Sequence, residues 1–318
     1  MFPVDVDSLA KDFDRLIADA RAHASGGWSP SPVESWKDAL VVTPQAIRNF
    51  RSNWISGGTI NAPDRPRRFP ATLTATDYAP EPLADKILGR ARFFRSLFKM
   101  FPALPWSRLS TFLSLAQDDG HGGARRVFIP GLGRFSDASL RYALYAMTLE
   151  GLGGRGHSFL EIGGGFGGLC QRAYPYLSAT RYLLTDLPVN QALSYFNLAS
   201  HFGDQVVGHY WSEADRLELH KPIVIVAPWL LPMLTENIDI AVNTVSFQHM
   251  SLANLQYYGD IFKRYGVERI FHVNRIVRRD PTDVMPDDYP FRRNYRLAMR
   301  RLSWLNSDIV EELLVRQG

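Results

Sequence analysis

The sequence predicts an α/β fold in which a mainly parallel sheet carries helices on both faces, preceded by a mainly helical N-terminal region. Short apolar runs recur between residues 158 and 274. Segments with helical periodicity separate most of these runs, and this alternation is typical of a parallel sheet with crossover helices. The first 115 residues, by contrast, show helical periodicity and no convincing strand.

Three helices are predicted in the N-terminal region. One face of residues 5–24 is apolar and is formed by Val6, Leu9, Phe13, Leu16, Ile17 and Ala20. A second helix is predicted to begin at Thr43-Pro44, where a capping residue precedes proline at the first helical position. A third is predicted over 81–100. We therefore expect a helical cap or dimerisation region over residues 1–120 and a ligand-binding α/β domain over residues 121–318.

The second region is predicted to contain six strands and at least four helices. Residues 118–133 are rich in glycine and are predicted to be a connection, followed by a helix that Ser136 or Asp137 caps. Strands are predicted at 158–162, 181–186, 205–210, 222–227, 238–243 and 268–274. The clearest helices among them are Phe166–Tyr174, Asn190–His201 and Leu252–Tyr265. Five arginines nearer the C-terminus have the spacing of a solvated helix face: Arg292, Arg293, Arg296, Arg300 and Arg301.

Composition narrows the class of protein. The chain has 318 residues, 46% of them apolar, which is enough for a folded core. Its 36 basic residues include only six lysines, and no dense basic block with interleaved aromatics indicates nucleic-acid binding. The single cysteine, Cys170, excludes an internal disulfide. Residues 1–7 do not resemble a signal peptide and the apolar run 223–234 is too short to span a bilayer, so we expect a cytoplasmic protein without a membrane partner.

The most informative stretch is Ser158–Gly168, where an apolar run ends in Glu161 and five glycines follow within six positions. Glycines permit a tight turn and close approach of a ligand to the main chain, and a helix N-terminus offers free N–H groups. Gly163, Gly165 and Gly168 have the spacing of the dinucleotide fingerprint, and Asp186 lies at a suitable distance for a ribose hydroxyl. The pattern therefore predicts a nucleotide-like ligand and leaves NAD open.

A second pattern in the same residues resembles a different cofactor class. Glu161-x-Gly163-x-Gly165-x-Gly167 is similar to the first motif of S-adenosylmethionine-dependent methyltransferases, and Tyr182–Pro188 ends in Asp-Leu-Pro. Together they resemble plant-type small-molecule O-methyltransferases and, more closely, a bacterial family described as sugar O-methyltransferases. Three further segments are similar to the bacterial family, so that the resemblance covers roughly 125–280: Leu140–Tyr145, Gln191–Phe196 and Asn243–Met250.

This resemblance implies a Rossmann-like class I methyltransferase sheet, S-adenosyl-L-methionine as cofactor, and methyl transfer to a hydroxyl of a sugar or glycosylated small molecule. Glu161 would orient the amino-acid end of the cofactor and Asp186 would hold the ribose. The full set of candidate cofactor residues is Glu161, Gly163, Gly164, Gly165, Gly167, Asp186, Leu187, Trp229 and Asn243. The candidate substrate residues are Tyr142, Tyr145, Gln248, Asn274 and Arg275.

The chain departs from the bacterial family at His249, where the relatives are expected to have glutamate. Methyl transfer to oxygen requires collinear donor and acceptor and a group that accepts the hydroxyl proton. His249 follows the strand at 238–243, at the sheet edge where ligands of α/β folds bind, and a histidine titrates near neutrality. We predict His249 as general base, with a hydrogen-bonding role toward substrate or a structural role as alternatives.

Other functions stay open at this stage. An aromatic hydroxyl or an amine is the alternative acceptor, and an inactive cofactor-binding module is the alternative to an enzyme. No tight His, Asp or Glu spacing indicates a metal site. The expected partner is a small-molecule or sugar acceptor, and the helical region is a candidate homodimer interface.

Overall fold

A computed structural model describes residues 1–23, 93–95, 97–100, 104, 106–124, 126–278, 283–304 and 307–318. The helix predicted at Thr43-Pro44 and most of the one predicted over 81–100 lie outside these residues. The α-helices with described bounds are α1 (Val6–His23), α2 (Leu109–Leu115), α3 (Asp137–Gly151), α4 (Gly168–Leu177), α5 (Pro188–Phe202) and α6 (Leu252–Arg264). The strands are β1 (Val127–Ile129), β2 (Gly133–Phe135), β3 (Ser158–Ile162), β4 (Arg181–Thr185), β5 (Val207–Tyr210), β6 (Ile223–Val226), β7 (Ile240–Thr244), β8 (Arg269–Arg275), β9 (Tyr295–Leu302) and β10 (Ile309–Arg316).

Strands β3–β10 form one eight-stranded sheet in the order β5-β6-β4-β3-β7-β8-β10-β9. The neighbours from β5 to β8 are all parallel, whereas β10 is antiparallel to both β8 and β9. The α/β prediction is therefore confirmed, and each of the six predicted strands lies within two residues of an observed one.

Alternation along the strands divides the apolar core between the two faces of the sheet. Phe159, Tyr182 and Val242 pack with α3 and α4 in one cluster. Leu160, Leu183 and Ala241 pack in the other, which also holds residues of α1, α5 and α6. Because successive strand residues point to opposite faces, the buried apolar runs are explained by helices on both sides, as the sequence predicts.

The strand order reverses beside β3. From β3 the chain builds outward to β4 and β6, and it then returns to the other side of β3 as β7 and β8. In open parallel sheets such a reversal leaves a crevice at the carboxyl ends of the two central strands, and ligands bind there. A functional site is therefore expected in the crevice between β3 and β7.

Helix α1 confirms the predicted helix at residues 5–24 and packs directly on the sheet domain. Val6, Leu9 and Leu16 are buried in the core cluster that also contains Leu193 and Phe196 of α5. This helix therefore belongs to the same packed body as the sheet. The domain boundary at residue 120 stays a prediction, because most of the region before it lies outside the described residues.

Two features differ from the prediction. The glycine-rich connection contains an antiparallel hairpin, β1 with β2. The segment in which five arginines have helical spacing is not a helix face: Arg296, Arg300 and Arg301 lie on β9, which pairs with β10. Cross-strand ion pairs join Arg300 to Glu312 and Arg301 to Glu311, so the prediction of a solvated helix is wrong. Strand β10 was not predicted because two of its buried positions are glutamates, Glu311 and Glu312, which interrupt the apolar pattern expected of a buried strand.

Candidate functional site

The glycine turn follows β3 and leads into α4. Gly163 has φ 70°, Gly165 has φ 60°, and Gly167, with φ 77°, is the residue before the first turn of α4. A Cβ at Gly163 would overlap the side chain of Ser246, which follows β7. Gly163 is therefore required both by its left-handed backbone and by direct contact between the two loops that border the crevice.

Glu161 lies beneath this turn and is fully buried. One carboxyl oxygen, Oε2, accepts a hydrogen bond from the Tyr182 hydroxyl at 2.7 Å. The other, Oε1, is buried and has no hydrogen-bond partner in the part of the chain that the structure describes. Burial, reinforced by the nearby Asp186 carboxylate, raises the pKa of Glu161 to about 8 against the opposing effects of the Tyr182 hydroxyl and of the backbone N–H of Cys170 in the first turn of α4. The turn thus covers a carboxyl group that is largely protonated at neutral pH, with Oε2 engaged by Tyr182 and the proton therefore on Oε1. When this proton is lost, Oε1 becomes an acceptor for a ligand.

Asp186 follows β4, the neighbour of β3, and its carboxylate joins the glycine turn after β3 to the start of α5. Its Oδ2 accepts from Gly165 N at 2.7 Å, and its Oδ1 accepts from Leu187 N at 2.6 Å and from Asn190 Nδ2 at 2.9 Å. Burial raises the pKa of Asp186, and these hydrogen bonds oppose the rise. A carboxylate offers about four acceptor positions, so three protein donors leave room for a further donor from a ligand.

The loop after β7 is held by buried amides and a strained residue. Asn243 donates through Nδ2 to Ile162 O at 2.8 Å and to Ser246 Oγ, and its Oδ1 accepts from Phe247 N at 3.2 Å. Val245 has φ 66°, which is rare for a β-branched residue. Such strain persists only where surrounding contacts enforce it, and it is commonly found at functional sites.

A chain of hydrogen bonds runs from this loop to β8. Asn274 donates through Nδ2 to Asn243 Oδ1 at 2.9 Å, and its Oδ1 accepts from Gln248 N at 3.3 Å. Gln248 in turn accepts from Arg275 N at 2.9 Å through Oε1. Asn243, Gln248 and Asn274 are buried and their side chains bind protein groups. They therefore act here as supports of the loop, and their predicted contacts with cofactor or substrate stay predictions.

His249 lies at the exposed end of this chain, in the short 3-10 helix Phe247–His249. Its Nε2 accepts from Gln248 Nε2 at 3.1 Å and from Arg275 Nη2 at 3.2 Å. Partial burial, together with the charge of Arg275, lowers the pKa of His249 against the opposing influence of Asp283. The ring is therefore neutral at pH 7. Arg275 Nη2 also lies 3.5 Å from Nδ1, but both donors are nearer to Nε2, which favours the tautomer with its proton on Nδ1.

Of the remaining predicted residues, Leu187 and Trp229 follow the carboxyl ends of β4 and β6, Tyr142 contacts the start of α4, and Tyr145 lies in the core between α3 and the sheet. Leu187 is half-buried after β4, and Trp229 is 8% exposed in the core cluster after β6. Tyr142 packs on the ring of Phe166 at 5.8 Å and lies where a Cβ on Gly168 would be. Tyr145 is fully buried.

Sequence reasoning missed several residues of this edge. Ser246, Val245 and Asn190 were not predicted, although Ser246 belongs to the Ser-Phe-Gln segment that carries the family resemblance. Asn190 binds Asp186, and its own Oδ1 is buried without a hydrogen-bond partner within the described chain. The positive φ of Val245 has no signal in the sequence, because a β-branched residue is rarely found in that conformation.

The described residues lack the features of two other classes of site. No group of three or more His, Cys, Asp and Glu side chains has an arrangement that would hold a metal ion within these residues. No helix among them has the length and apolar composition needed to cross a bilayer. A polar groove of about 560 Å³ lies between the hairpin and α4, and none of the predicted site residues lines it.

Comparisons with known proteins give structural similarity only. No family model and no curated protein matches the sequence. The pyocyanin biosynthetic protein PhzM is similar over 74% of this chain and 72% of its own, with 15% identity and a TM-score of 0.42. Magnesium protoporphyrin IX methyltransferase (ChlM) from Synechocystis PCC 6803, with bound SAH, is similar over 56% and 82%, with 10% identity and a TM-score of 0.40. A TehB-like SAM-dependent methyltransferase from Corynebacterium glutamicum is similar over 54% and 86%, with 16% identity and a TM-score of 0.37. None of these similarities assigns a function to the chain.

Proposed function

We propose that the chain is an S-adenosylmethionine-dependent methyltransferase and that the cofactor binds in the crevice between β3 and β7. The observation that carries this proposal is the spare buried oxygen of Glu161 beneath the glycine turn, beside Asp186 at the end of the next strand. An amino-acid ligand brings an ammonium group, which suits a carboxyl of this kind, and a ribose brings hydroxyl donors, which suit Asp186.

The residues present fit this cofactor. Glu161 and the turn at Gly163–Gly167 would hold the methionine end, Asp186 the ribose, and Leu187 an apolar face of the adenine. The unpartnered Oδ1 of Asn190 adds a further acceptor at the nucleoside end. When bound, the cofactor supplies an electrophilic methyl group, and the chain's own residues must then position an acceptor and take up its proton.

We further propose that the acceptor is a hydroxyl of a sugar or glycosylated small molecule and that His249 is the general base. The neutral ring of His249 is suited to accepting a proton. Its Nε2 lone pair is engaged by Gln248 and Arg275 in the absence of acceptor. An incoming hydroxyl must therefore replace these donors at Nε2 before the proton can move, and Arg275 would be released toward the acceptor.

Calorimetry tests the cofactor assignment without an acceptor. S-adenosylhomocysteine should bind and NAD should not, because Glu161 favours an ammonium group. Since the pKa of Glu161 is about 8 in the free protein, binding of a cation beside it should release a proton at pH 7. Titrations in buffers of different ionisation enthalpy measure this release, and the affinity should rise as pH increases toward 8.

Glu161→Gln should abolish the proton release, whereas Glu213→Gln, which alters contacts with Arg216 and the Tyr210 hydroxyl that lie away from the glycine turn, should leave it unchanged. Tight binding of NAD with none of S-adenosylhomocysteine would refute the proposal. Cofactor binding without turnover on any sugar, phenol or amine would favour an inactive binding module, and turnover on a phenol or amine alone would replace the sugar acceptor.

A further inference from the structure

The polar groove between the hairpin and α4 is a cavity that the proposed function does not use. Its volume of about 560 Å³ is typical of sites for small molecules. Six of the residues that line it have polar side chains, and two of these are arginines. The hydrogen-bonding state of these side chains indicates which kind of ligand the groove suits.

The acceptor oxygens at the groove already accept from protein donors. Both carboxyl oxygens of Asp118 do so, at 2.9 Å from a backbone N–H and at 2.5 Å from the Ser136 hydroxyl. Those of Asp119 lie 2.8 Å from a backbone N–H and 2.8 Å from His201 Nε2. Gln117 Oε1 accepts from a backbone N–H at 3.2 Å. These oxygens therefore hold the loop and the hairpin together.

The groups with hydrogen-bonding capacity to spare are N–H donors. Gln171 Oε1 accepts from Asn197 Nδ2 at 3.3 Å, and Gln171 Nε2 has no partner within the described residues. The guanidinium of Arg134 makes no hydrogen bond or ion pair with any residue that the structure describes, and that of Arg126 donates only to Asp118 O, at 3.4 Å. The groove therefore has a surplus of donors, which suits a ligand rich in acceptors.

Both guanidinium groups are held in place by contacts other than ion pairs. That of Arg126 occupies the space where a Cβ on Gly120 would be, and Gly120 has φ 82°. Arg134 Cζ lies 5.9 Å from the centre of the Phe128 ring, which is a cation–π contact. A guanidinium whose plane is fixed in advance recognises oxyanions through parallel N–H donors at a reduced entropic cost.

The groove begins one helical turn beyond the glycine turn. Gln171 N donates to Gly167 O at 2.9 Å, so Gln171 lies in the first turn of α4. Arg134 lies two residues before Ser136, which caps the N-terminus of α3. The positive ends of two helix dipoles therefore lie beside the same donors and favour an anion there.

We propose that this groove binds the phosphoryl group of a small molecule through Arg126, Arg134 and Gln171. An ionised phosphoryl group supplies acceptor oxygens and no donor, which matches the surplus of N–H groups. Phe128, 63% exposed beside Arg134, provides an apolar surface for the part of the ligand next to the phosphate. The inference does not depend on the proposed methyltransferase function, and the phosphoryl group belongs either to the methyl acceptor or to a separate ligand.

Calorimetry with inorganic phosphate and phenyl phosphate tests the groove. Both should bind saturably, and Arg126→Gln and Arg134→Gln should each weaken both by about tenfold or more. Phenyl phosphate should bind more tightly than phosphate, and Phe128→Ala should remove this difference. The matched control is Arg264→Gln, an exposed arginine of α6 on the other face of the sheet, which should bind both compounds as the wild type does.

Gln171→Glu should abolish binding, because it replaces the donor with a carboxylate. Melting temperatures close to that of the wild type are expected for the arginine variants, since both side chains are exposed. Binding that survives in both arginine variants, an equal loss in Arg264→Gln, or no saturable binding of either compound would overturn the site.

A second measurement distinguishes the two sources of the phosphoryl group. Interligand nuclear Overhauser effects between phenyl phosphate and S-adenosylhomocysteine would assign it to the methyl acceptor, and their absence with both ligands bound would assign it to a separate ligand. Binding of phenyl phosphate without any binding of S-adenosylhomocysteine would refute the proposed function and leave the groove assignment standing.

Discussion

The protonation of His249 determines how the proposed reaction should depend on pH. Burial and Arg275 lower the pKa of His249 below its ordinary value of 6.5. A general base is active when neutral, so kcat/KM should be constant at pH 7 and fall only as pH decreases through the lowered pKa. Arg275→Gln should move this acid limb upward, since it removes the second cause of the shift.

His249→Ala should lower kcat by about 10²–10⁴-fold and remove the acid limb, with cofactor affinity unchanged. Initial rates between pH 5 and 8, measured by formation of S-adenosylhomocysteine, provide the profile. Met250→Leu, an adjacent apolar change, serves as the control. An acid limb that persists in His249→Ala would show that another group accepts the proton.

Single residues were predictable where a local motif carries them. Glu161, the glycines and Asp186 are identified by their order and spacing alone, and the structure brings them to one sheet edge. The contact of Ser246 with Gly163 was not predictable, since it joins positions 83 residues apart in the sequence. The hydrogen bonds of Asn274 likewise depend on strand register, which the sequence does not specify.

At the level of elements, the turn after β3 should not tolerate a side chain at Gly163. Gly163→Ala adds a Cβ in a left-handed conformation and overlaps Ser246. Gly131→Ala is the matched control, because Gly131 has φ 76° and nothing within 4 Å of the added Cβ. The control should cost about 1 kcal/mol of unfolding free energy, and Gly163→Ala should cost more and abolish S-adenosylhomocysteine binding.

Urea unfolding and calorimetry measure both variants. The double variant Gly163→Ala/Ser246→Gly should recover part of the loss, because it removes the overlapping side chain. Equal losses of unfolding free energy in Gly163→Ala and Gly131→Ala would show that the left-handed backbone, and not the overlap with Ser246, is the reason for glycine at position 163.

Elements were predictable where buried apolar runs mark them. The parallel strands are mostly buried, and their central positions form apolar segments, of which Ile223–Val226 is the most continuous. Strands β9 and β10 were not predicted, because arginines of β9 pair with glutamates of β10 and neither strand has a continuous apolar run. From the sequence alone, an arginine that pairs with a glutamate on the neighbouring strand cannot be distinguished from an arginine that is exposed to solvent.

At the level of the whole molecule, Glu312 anchors the antiparallel end of the sheet. It is fully buried and pairs with His272 at 3.2 Å, with Arg292 at 2.6 Å and with Arg300. Burial alone would raise the pKa of Glu312, but these partners outweigh it and lower the value to about 2. The resulting stability is present above pH 4.5 and should be lost as pH falls from 4.5 toward 2.

Glu312→Gln should flatten this part of the pH profile and lower the unfolding free energy by about 1–3 kcal/mol at pH 7, because Arg292 and Arg300 lose a buried carboxylate and keep the exposed Asp287 as a partner. Urea titrations from pH 7 to 3 test this. Asp12→Asn, at a surface pair with Arg15, should reproduce the wild-type profile. A wild-type profile in Glu312→Gln would mean that other carboxyl groups dominate acid unfolding.

The insertion of β10 between β8 and β9 has a consequence for how the chain folds. Strand β9 is synthesised before β10, yet β10 is the only strand of the described sheet with which it pairs. Strand β9, of which only Tyr295 is buried in the folded chain, therefore has no strand to pair with until residues 309–316 have been synthesised. Closure of this end of the sheet should be a late step, and the interval before it is when unpaired strands are exposed to aggregation.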